Sequence, residues 1–199
     1  MRSVTAVLLC CSAFVTRAVA QLGVSGDVQL SAYGGASRDT SQGNVGQSFR
    51  PYRPVLFTLR PEWDLGPWRV ALGVSYGKPD IAEEGDPLTV VLHQSSELLE
   101  VAPEVSYRFW KSPGGTRVRL LSGPVLNLWL LPGEDQLRSR GGAFLGLSTE
   151  FPITTRLQAA LRAIGVITAG LFEQSDLPPE FELRSMRRVS LGLGVRYGH

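Results

Sequence analysis

Cysteine is almost absent from this chain of 199 residues, which contains only Cys10 and Cys11. Both lie within the first 20 residues, so the remainder of the chain can form no disulfide bond. Its stability must therefore come from side-chain burial and backbone hydrogen bonding. Histidine is equally scarce, and two residues of this type exclude a metal site built mainly from histidine.

An excess of charge of one sign is also missing. Removing Arg2 and Arg17 from the 20 basic residues leaves 18, which equals the number of acidic residues. A formal charge of zero creates no basic field of the kind that attracts nucleic acid. The sequence also contains no P-loop, no cysteine cluster and no H-E-x-x-H motif. We therefore expect no nucleic-acid partner, no cofactor and no bound metal.

Long hydrophobic runs are absent after residue 20, where no segment offers the ~18 uncharged apolar residues of a spanning helix. The start of the chain is different. Arg2 precedes the apolar stretch from Val4 to Val15, and an Ala-Val-Ala sequence ends at Ala20. This order is typical of a secretory signal peptide. We predict a signal peptide over residues 1–20, cleaved between Ala20 and Gln21, and a single domain over 21–199.

The predicted domain contains segments in which apolar and polar residues alternate. Alternation with a period of two indicates strands, and Pro113-Gly114 between two such segments indicates a hairpin turn. Most of these segments reach the 9–11 residues that a tilted strand needs to cross a bilayer. We predict eight strands, near 27–36, 55–63, 68–76, 97–110, 117–131, 143–151, 156–168 and 188–197.

The connections between these strands alternate in length. The short turns lie near 64–67, 111–116 and 152–155, and the long loops lie near 37–53, 77–96, 132–140 and 170–187. With an even number of strands, all short turns and both ends of the domain fall on one side. Short turns on one side and long loops on the other are typical of an outer-membrane barrel. The sequence predicts an all-β, eight-stranded, antiparallel up-and-down transmembrane β-barrel.

Aromatic residues cluster near the two ends of the predicted strands. Those near the short turns are Trp63, Trp68, Phe109, Trp110, Phe151 and Tyr197; those near the long loops are Tyr33, Phe57, Tyr76 and Trp129. Two aromatic girdles are expected where a barrel meets the lipid headgroups.

The polar side of the strands carries many charged residues. Alternation alone also fits a soluble, calycin-like barrel with its apolar face inward. Small residues between the charges suit a narrow interior better, and a closed barrel satisfies the backbone as lipid requires. We predict an internal charge network, with a conduit or a solute site as the alternative. Its members are Arg60, Glu62, Arg69, Glu100, Glu104, Arg108, Arg117, Arg119, Glu150, Arg162, Arg188 and Arg196.

Two prolines interrupt the central hairpin. Pro103 and Pro124 are equidistant from the turn at Pro113-Gly114, so they are predicted to face each other across two strands. Neither can donate a hydrogen bond to a ladder, and we expect a shared bulge or kink there.

Several segments together resemble the small outer-membrane β-barrel proteins of the OmpA/OmpX-like group. They are the Ala-Val-Ala ending at Ala20, VSYRFW at 105–110, LLSGPVLNLW at 120–129 and VSLGLGVRYG at 189–198. The resemblance implies a monomer in the outer membrane, surrounded by lipid and lipopolysaccharide and delivered by the outer-membrane insertion machinery. The group includes adhesins, structural barrels and lipid-modifying enzymes, so the fold does not give the function.

Three functional alternatives remain open. The first is a non-enzymatic barrel with a structural or loop-mediated role. The second is an enzyme that modifies lipid A, because His93-Gln94-Ser95 resembles the His-x-Ser pair of the lipid A deacylase family, in which His activates Ser. Ser96 stands where that family usually has Asn, and the pair occurs earlier in this chain. The third alternative is a narrow pore.

Overall fold

The structure, a computed structural model, describes residues 21–35, 37–39, 48–52, 54–84, 89–92, 96–131, 137–171 and 181–198. The predicted signal peptide, including Ala20, and the His93-Gln94-Ser95 segment lie outside the described residues. Within them the chain forms thirteen β-strands, and no helix there is long and apolar enough to cross a membrane.

The strands have the following bounds: β1 (Gln21–Gly34), β2 (Ser37–Asp39), β3 (Ser48–Tyr52), β4 (Val55–Leu65), β5 (Trp68–Gly77), β6 (Asp80–Glu84), β7 (Thr89–Leu92), β8 (Glu97–Lys111), β9 (Arg117–Leu130), β10 (Arg138–Pro152), β11 (Leu157–Thr168), β12 (Phe181–Leu183) and β13 (Met186–Gly198).

Eight of these strands close into a barrel in the order β1, β13, β11, β10, β9, β8, β5, β4. Every neighbouring pair is antiparallel, and β1 closes the ring because it pairs with both β13 and β4. Closure gives each strand a partner on both sides, so the barrel has no exposed edge. The predicted eight-stranded barrel is therefore confirmed.

The barrel strands extend beyond the alternating segments that predicted them. β1 begins at Gln21 rather than near residue 27, and β10 begins at Arg138 rather than near residue 143. Glycines and small residues obscure the alternation in both extensions, whereas the neighbouring strands still supply backbone partners. Pairing across the barrel thus sets where a strand ends.

Three of the regions predicted as long loops contain strands of their own. Strands β3, β6 and β7 form a three-stranded sheet, and β2 pairs with β12. These strands are short, from three to five residues, and lack a long alternating pattern. Their backbone groups are satisfied by one another rather than by barrel strands, so the long-loop end carries structure above the barrel.

The two faces of the barrel wall have opposite chemistry. In β13, Leu191 and Leu193 are 59% and 67% exposed, whereas Arg188, Ser190 and Arg196 between and beside them are buried. The other barrel strands show the same alternation along most of their length. An apolar exterior around a polar interior is the arrangement of a membrane barrel, and it is the reverse of a soluble calycin-like barrel.

The aromatic residues near the short turns have exposed side chains, as a girdle requires. They are Trp63, Trp68, Phe109, Trp110, Phe151 and Tyr197, with Tyr107 beside them. At the long-loop end only Phe57 and Tyr76 of the predicted girdle are exposed. Tyr33 and Trp129 are buried, with ring centroids 6.2 Å apart in an edge-on arrangement. Their prediction as lipid-facing residues was wrong, because both fall on the inward parity of their strands.

The ladder between β8 and β9 is interrupted where the two prolines stand. Pairing stops after Val101 and Leu126, and it resumes at Val105 and Ser122 in the same register, which places Pro103 opposite Pro124. No residue is inserted, so of the bulge or kink that was expected here, the structure has no bulge, and the ladder is interrupted in register. The register shift between these strands lies instead between Arg108 and Trp110.

Gly123 allows the two strands to approach closely at this interruption of the ladder. A Cβ atom at this position would overlap the carbonyl oxygen of Pro103 and would come within 3.0 Å of the Phe144 ring. The two backbones therefore approach closely where the prolines cannot form hydrogen bonds, and only glycine fits between them.

Candidate functional site in the barrel interior

Glu62 on β4 is the centre of a buried network of ion pairs. Its carboxylate accepts a hydrogen bond from Arg196 Nε at 2.7 Å and lies 3.3 Å from Arg162 Nη2 and 3.2 Å from Arg69 Nη1. Ser25 Oγ donates a further hydrogen bond at 2.5 Å. Four donors around a carboxylate with no exposed surface compensate for the water that burial removes.

A second group of ion pairs lies beside Glu62, next to the short turns. Asp64 accepts hydrogen bonds from Arg69 Nε at 2.6 Å and from Arg196 Nη2 at 2.5 Å, and Arg119 Nη2 lies 3.4 Å away. Glu150 pairs with Arg69 and lies 3.6 Å from Arg119 Nε. Arg119 and Arg196 are each shared between two carboxylates, and Arg69 is shared between three, Glu62, Asp64 and Glu150.

The network continues towards the middle of the barrel through Arg60 and Arg162. Arg60 pairs with Asp27, and its Nε atom lies 3.7 Å from Glu104. Arg162 Nη1 lies 3.2 Å from Glu104 Oε2, which joins this group to Glu62. Gln29 donates to Asp27 at 2.8 Å and to Thr58 at 3.1 Å, so neutral polar groups fill the adjoining space.

A separate ion pair lies closer to the long loops. Arg188 Nη2 donates to Glu100 at 2.8 Å, and Nη1 donates to the Tyr33 hydroxyl at 3.3 Å. The Arg188 guanidinium also lies 5.8 Å from the centroid of the Tyr33 ring. Tyr33 thus acts as a polar and aromatic partner for an interior cation.

The charges of the interior balance. In the described part of the chain, six arginines meet six carboxylates there: Arg60, Arg69, Arg119, Arg162, Arg188 and Arg196 with Asp27, Glu62, Asp64, Glu100, Glu104 and Glu150. We call these twelve residues the charged network. Its positive and negative charges are thus equal in number.

Two of the predicted interior charges are not part of the charged network. Arg108 is half-buried, stands opposite Arg119, and has no ion pair within the described residues. Arg117 is also half-buried, and its Nε atom has no hydrogen-bond partner among those residues. Both lie near the short-turn end of the wall, where side chains can turn out of the interior.

Asp27 and Asp64 belong to the charged network but were not predicted. Asp27 shares the inward parity of Gln29 and Ser31, so the alternation of β1 contained the signal for it. Asp64 begins the sequence Asp64-Leu65-Gly66-Pro67, where an aspartate is expected to stabilise the turn by bonding to its backbone. The closed barrel instead brings its carboxylate to three arginines.

Apolar side chains fill much of the remaining interior, which alternation did not predict. One cluster lies on β9, β10 and β11 and consists of Leu121, Val125, Phe144, Ile164 and Val166. The other lies beneath the long loops and consists of Tyr33, Leu56, Ile81, Leu98, Trp129, Leu131, Leu171 and Met186. We call the second one the apolar cap. It closes the barrel at the end opposite the short turns.

A small cavity of about 20 Å³ remains between the first cluster and the charged network. Gln29, Arg60 and Arg188 line one side of it, and Phe144 and Ile164 line the other. Its volume suits a single water molecule, which needs polar partners. Glu100 Oε2 and Arg188 Nε have no partner within the described residues and are suitable groups for such a water.

No group of three or more metal-ligating side chains occurs within the described residues. The His93-Gln94-Ser95 segment lies outside the described residues, so the structure does not test the deacylase-like alternative. Ser96, which follows it, is buried, and its hydroxyl donates to the Pro79 carbonyl at 2.8 Å.

Comparisons with known proteins show a likeness in fold alone. No protein family model matches the sequence, and no curated protein is significantly similar to it. Among solved structures, neisserial surface protein A is 11% identical, with 88% of this chain and 96% of that chain covered and a TM-score of 0.57. The outer membrane protein OprG from Pseudomonas aeruginosa is 10% identical, with 92% and 97% covered and a TM-score of 0.55.

Both similar structures are covered almost completely, so the likeness extends over the whole barrel rather than a shared hairpin. Their fold and the apolar exterior described above support the predicted location in the outer membrane. The chain has the fold of the small eight-stranded outer-membrane β-barrel proteins.

Proposed function

We propose that this protein is a non-enzymatic integral outer-membrane barrel that holds its long loops in place for interaction outside the cell. The observation that carries the proposal is the filled interior. In the described part of the barrel, the charged network and the apolar clusters occupy the interior, and the cavity between them has a volume of about 20 Å³. Eight strands enclose a volume that side chains can fill.

The apolar cap argues against the narrow-pore alternative. Leu56, Leu98 and Trp129 have no exposed surface, although they lie at the end of the barrel that faces the long loops. An ion entering from that side would have to lose its water in an apolar layer, which is very costly. The charged residues in the rest of the interior form the ion pairs of the charged network, in which arginines and carboxylates are equal in number.

The same packing makes the barrel a rigid support. The strands β3, β6 and β7 and the pair β2 and β12 extend from the long-loop end. In an outer-membrane barrel this end faces the outside. We propose that these extensions carry the interaction surface, that lipid and lipopolysaccharide cover the apolar wall, and that the outer-membrane insertion machinery delivers a monomer.

Two measurements test the proposal, one for pore activity and one for modification of lipid A. The folded protein is added to planar bilayers for conductance, and lipid A from cells with and without the protein is analysed by mass spectrometry. We expect no stable conductance and an unchanged set of acyl chains. A double variant, Phe144→Gly with Trp129→Gly, serves as the control, because loss of two large interior side chains should open a measurable leak.

Two outcomes would contradict the proposal. Stable unitary conductance of the unchanged protein would favour the narrow pore. Loss of an acyl chain from lipid A, abolished by His93→Ala or Ser95→Ala, would favour the deacylase-like enzyme.

A further inference from the structure

The short-turn end of the barrel carries more positive charge than the charged network balances. Its described segments contain seven basic residues and three acidic ones; these segments are 21–23, 62–69, 106–119, 150–157 and 194–198. The sequence before and after the described barrel, residues 1–20 and 199, contains no aspartate or glutamate. This end of the barrel therefore has an excess of basic side chains.

Two pairs of like charges follow one another on the hairpin of β8 and β9. Arg108 stands opposite Arg119, and Lys111 stands opposite Arg117. Residues that stand opposite each other on antiparallel strands have their side chains on the same face, with Cβ atoms about 4.5–5.5 Å apart. Like charges at this spacing repel each other, and of these four residues only Arg119 lies beside carboxylates of the charged network. The arrangement lowers stability unless a negative group joins it.

The register shift between Arg108 and Trp110 brings the second pair onto this face. In an unbroken ladder Lys111, three residues after Arg108, would have its side chain on the opposite face of β8. The shift instead turns Trp110 to the lipid-facing side, where it is 49% exposed. Lys111 then stands opposite Arg117, which has the inward parity of β9. We call Arg108, Lys111 and Arg117 the basic mouth.

The basic mouth has no negative partner of its own. None of its three cations forms an ion pair within the described residues, and Arg117 Nε lacks a hydrogen-bond partner there. The carboxylates of this end are already shared. Asp64 pairs with three arginines of the charged network, and Glu150, which stands opposite Arg117, pairs with two. The donors of the basic mouth thus remain for an anion from outside the chain.

The basic mouth opens towards the barrel axis and not towards lipid. Arg108 shares its parity on β8 with the buried Ser106, whereas the exposed aromatic residues Tyr107 and Phe109 have the opposite parity. Lipid headgroups therefore lie on the other side of the wall. A protein partner would find no exposed apolar side chain on the face of the cations, and such side chains form the core of protein interfaces. The interior of eight strands is narrow, so the position suits a small soluble anion.

We infer that the basic mouth binds a compact soluble anion with two or more adjacent phosphate or carboxylate groups. A guanidinium donates paired hydrogen bonds to either group, and the Lys111 ammonium adds a third positive charge. A bound anion between the like-charge pairs offsets their repulsion. The site lies at the end of the barrel opposite to the proposed interaction surface, so it is independent of the role proposed for the long loops.

The test measures anion binding to the full folded chain in a nonionic detergent at low ionic strength, using isothermal titration calorimetry. The probes are pyrophosphate and citrate, and their counterparts with one anionic group are inorganic phosphate and acetate. The main variant is Arg108→Gln with Arg117→Gln. The matched control is Arg156→Gln with Arg187→Gln, which removes two exposed arginines outside the basic mouth.

We expect at least one of pyrophosphate and citrate to bind the unchanged protein about tenfold more tightly than its counterpart with one group. The tighter of the two shows whether the ligand is a phosphate or a carboxylate compound. The main variant should lose about tenfold in affinity for that probe, and the control less than about twofold. Added salt should weaken binding to the unchanged protein, because it screens the charges of the mouth.

Three results would overturn the inference. Equal losses in the main variant and in the control would show a general effect of positive charge. Equal affinities of both probes and their counterparts would show that adjacent anionic groups are not recognised. Binding of anionic lipid vesicles or of an acidic polymer, with neither probe bound, would assign the basic mouth to a different class of partner.

A second variant covers the case in which the main variant does not form a heat-modifiable barrel in detergent. Lys111→Gln changes an exposed side chain of the basic mouth and leaves both arginines in place. It should lose about threefold in affinity for the tighter probe. Unchanged affinity in this variant would count against the basic mouth.

Discussion

The interior of the barrel is stabilised differently at its two ends. Near the short turns, Glu62 and Asp64 are surrounded by arginines within ion-pair distance. Beneath the long loops, the apolar cap places Leu98 and Trp129 against other apolar side chains. The first region is stabilised by directional ion pairs that share their partners, and the second region is stabilised by apolar packing. We therefore expect the loss of one side chain to affect its neighbours differently in the two regions.

The largest effect is expected from Glu62→Ala. This change leaves Arg69, Arg162 and Arg196 with an uncompensated positive charge in the interior. Removal of one partner from a buried ion pair costs about 3–5 kcal/mol. Urea titration of the barrel folded in lipid vesicles measures the free energy of unfolding.

Glu97→Ala is the matched control for this variant. Glu97 also forms an ion pair, with Lys78, but both side chains are about half exposed. Pairs of this kind contribute little to stability, because water and salt screen their charges. Similar losses in the two variants would mean that the charged network is not a buried, interdependent unit.

A somewhat smaller effect is expected from Leu98→Ala in the apolar cap. Truncation of a fully buried leucine costs about 2–5 kcal/mol, depending on how well the cavity collapses. The neighbouring Leu99 has its side chain on the lipid-facing wall. Leu99→Ala should cost less, because lipid chains fill the space that the smaller side chain leaves. A larger loss for Leu99→Ala in the same titration would reverse the assignment of the two faces.

The smallest effect is expected from Arg108→Ala. Arg108 and Arg119 stand opposite each other, but only Arg119 is buried beside Asp64 and Glu150. Like charges on opposite strands repel, so loss of Arg108 should change the free energy of unfolding by no more than about 0.5 kcal/mol. Arg119→Ala should cost about 3–5 kcal/mol by the argument given for Glu62. Comparable losses would place Arg108 inside the charged network after all.

The same contrast explains how much the sequence could predict. Alternation located the eight barrel strands, because each has an apolar side and a polar side along most of its length. It also assigned ten buried charges to the interior parity. Leu121, Val125 and Ile164 were missed, because inward apolar residues next to outward ones erase the period of two. An apolar segment cannot show which of its faces meets lipid.

Other features depend on closure of the barrel and not on any local pattern. Asp64 lies in a turn by sequence but reaches arginines on β5, β9 and β13. Trp129 was assigned to the girdle by its height alone, although its parity matches that of Asn127, which is also buried. The arginine that pairs with each carboxylate depends on which strands face each other across the closed barrel. The sequence of a single strand does not show this.

The sequence separation within the charged network bears on how the protein assembles. Glu62 is 134 residues from Arg196 and 100 from Arg162, and Arg69 is 81 residues from Glu150. The first of these pairs joins β4 to β13, on either side of the strand at which the ring closes. Arg196 lies on the last strand, so Glu62 and Asp64 lack this partner until that strand has paired. We therefore expect the dehydration of these two carboxylates to be completed late in assembly, when the two ends of the chain meet.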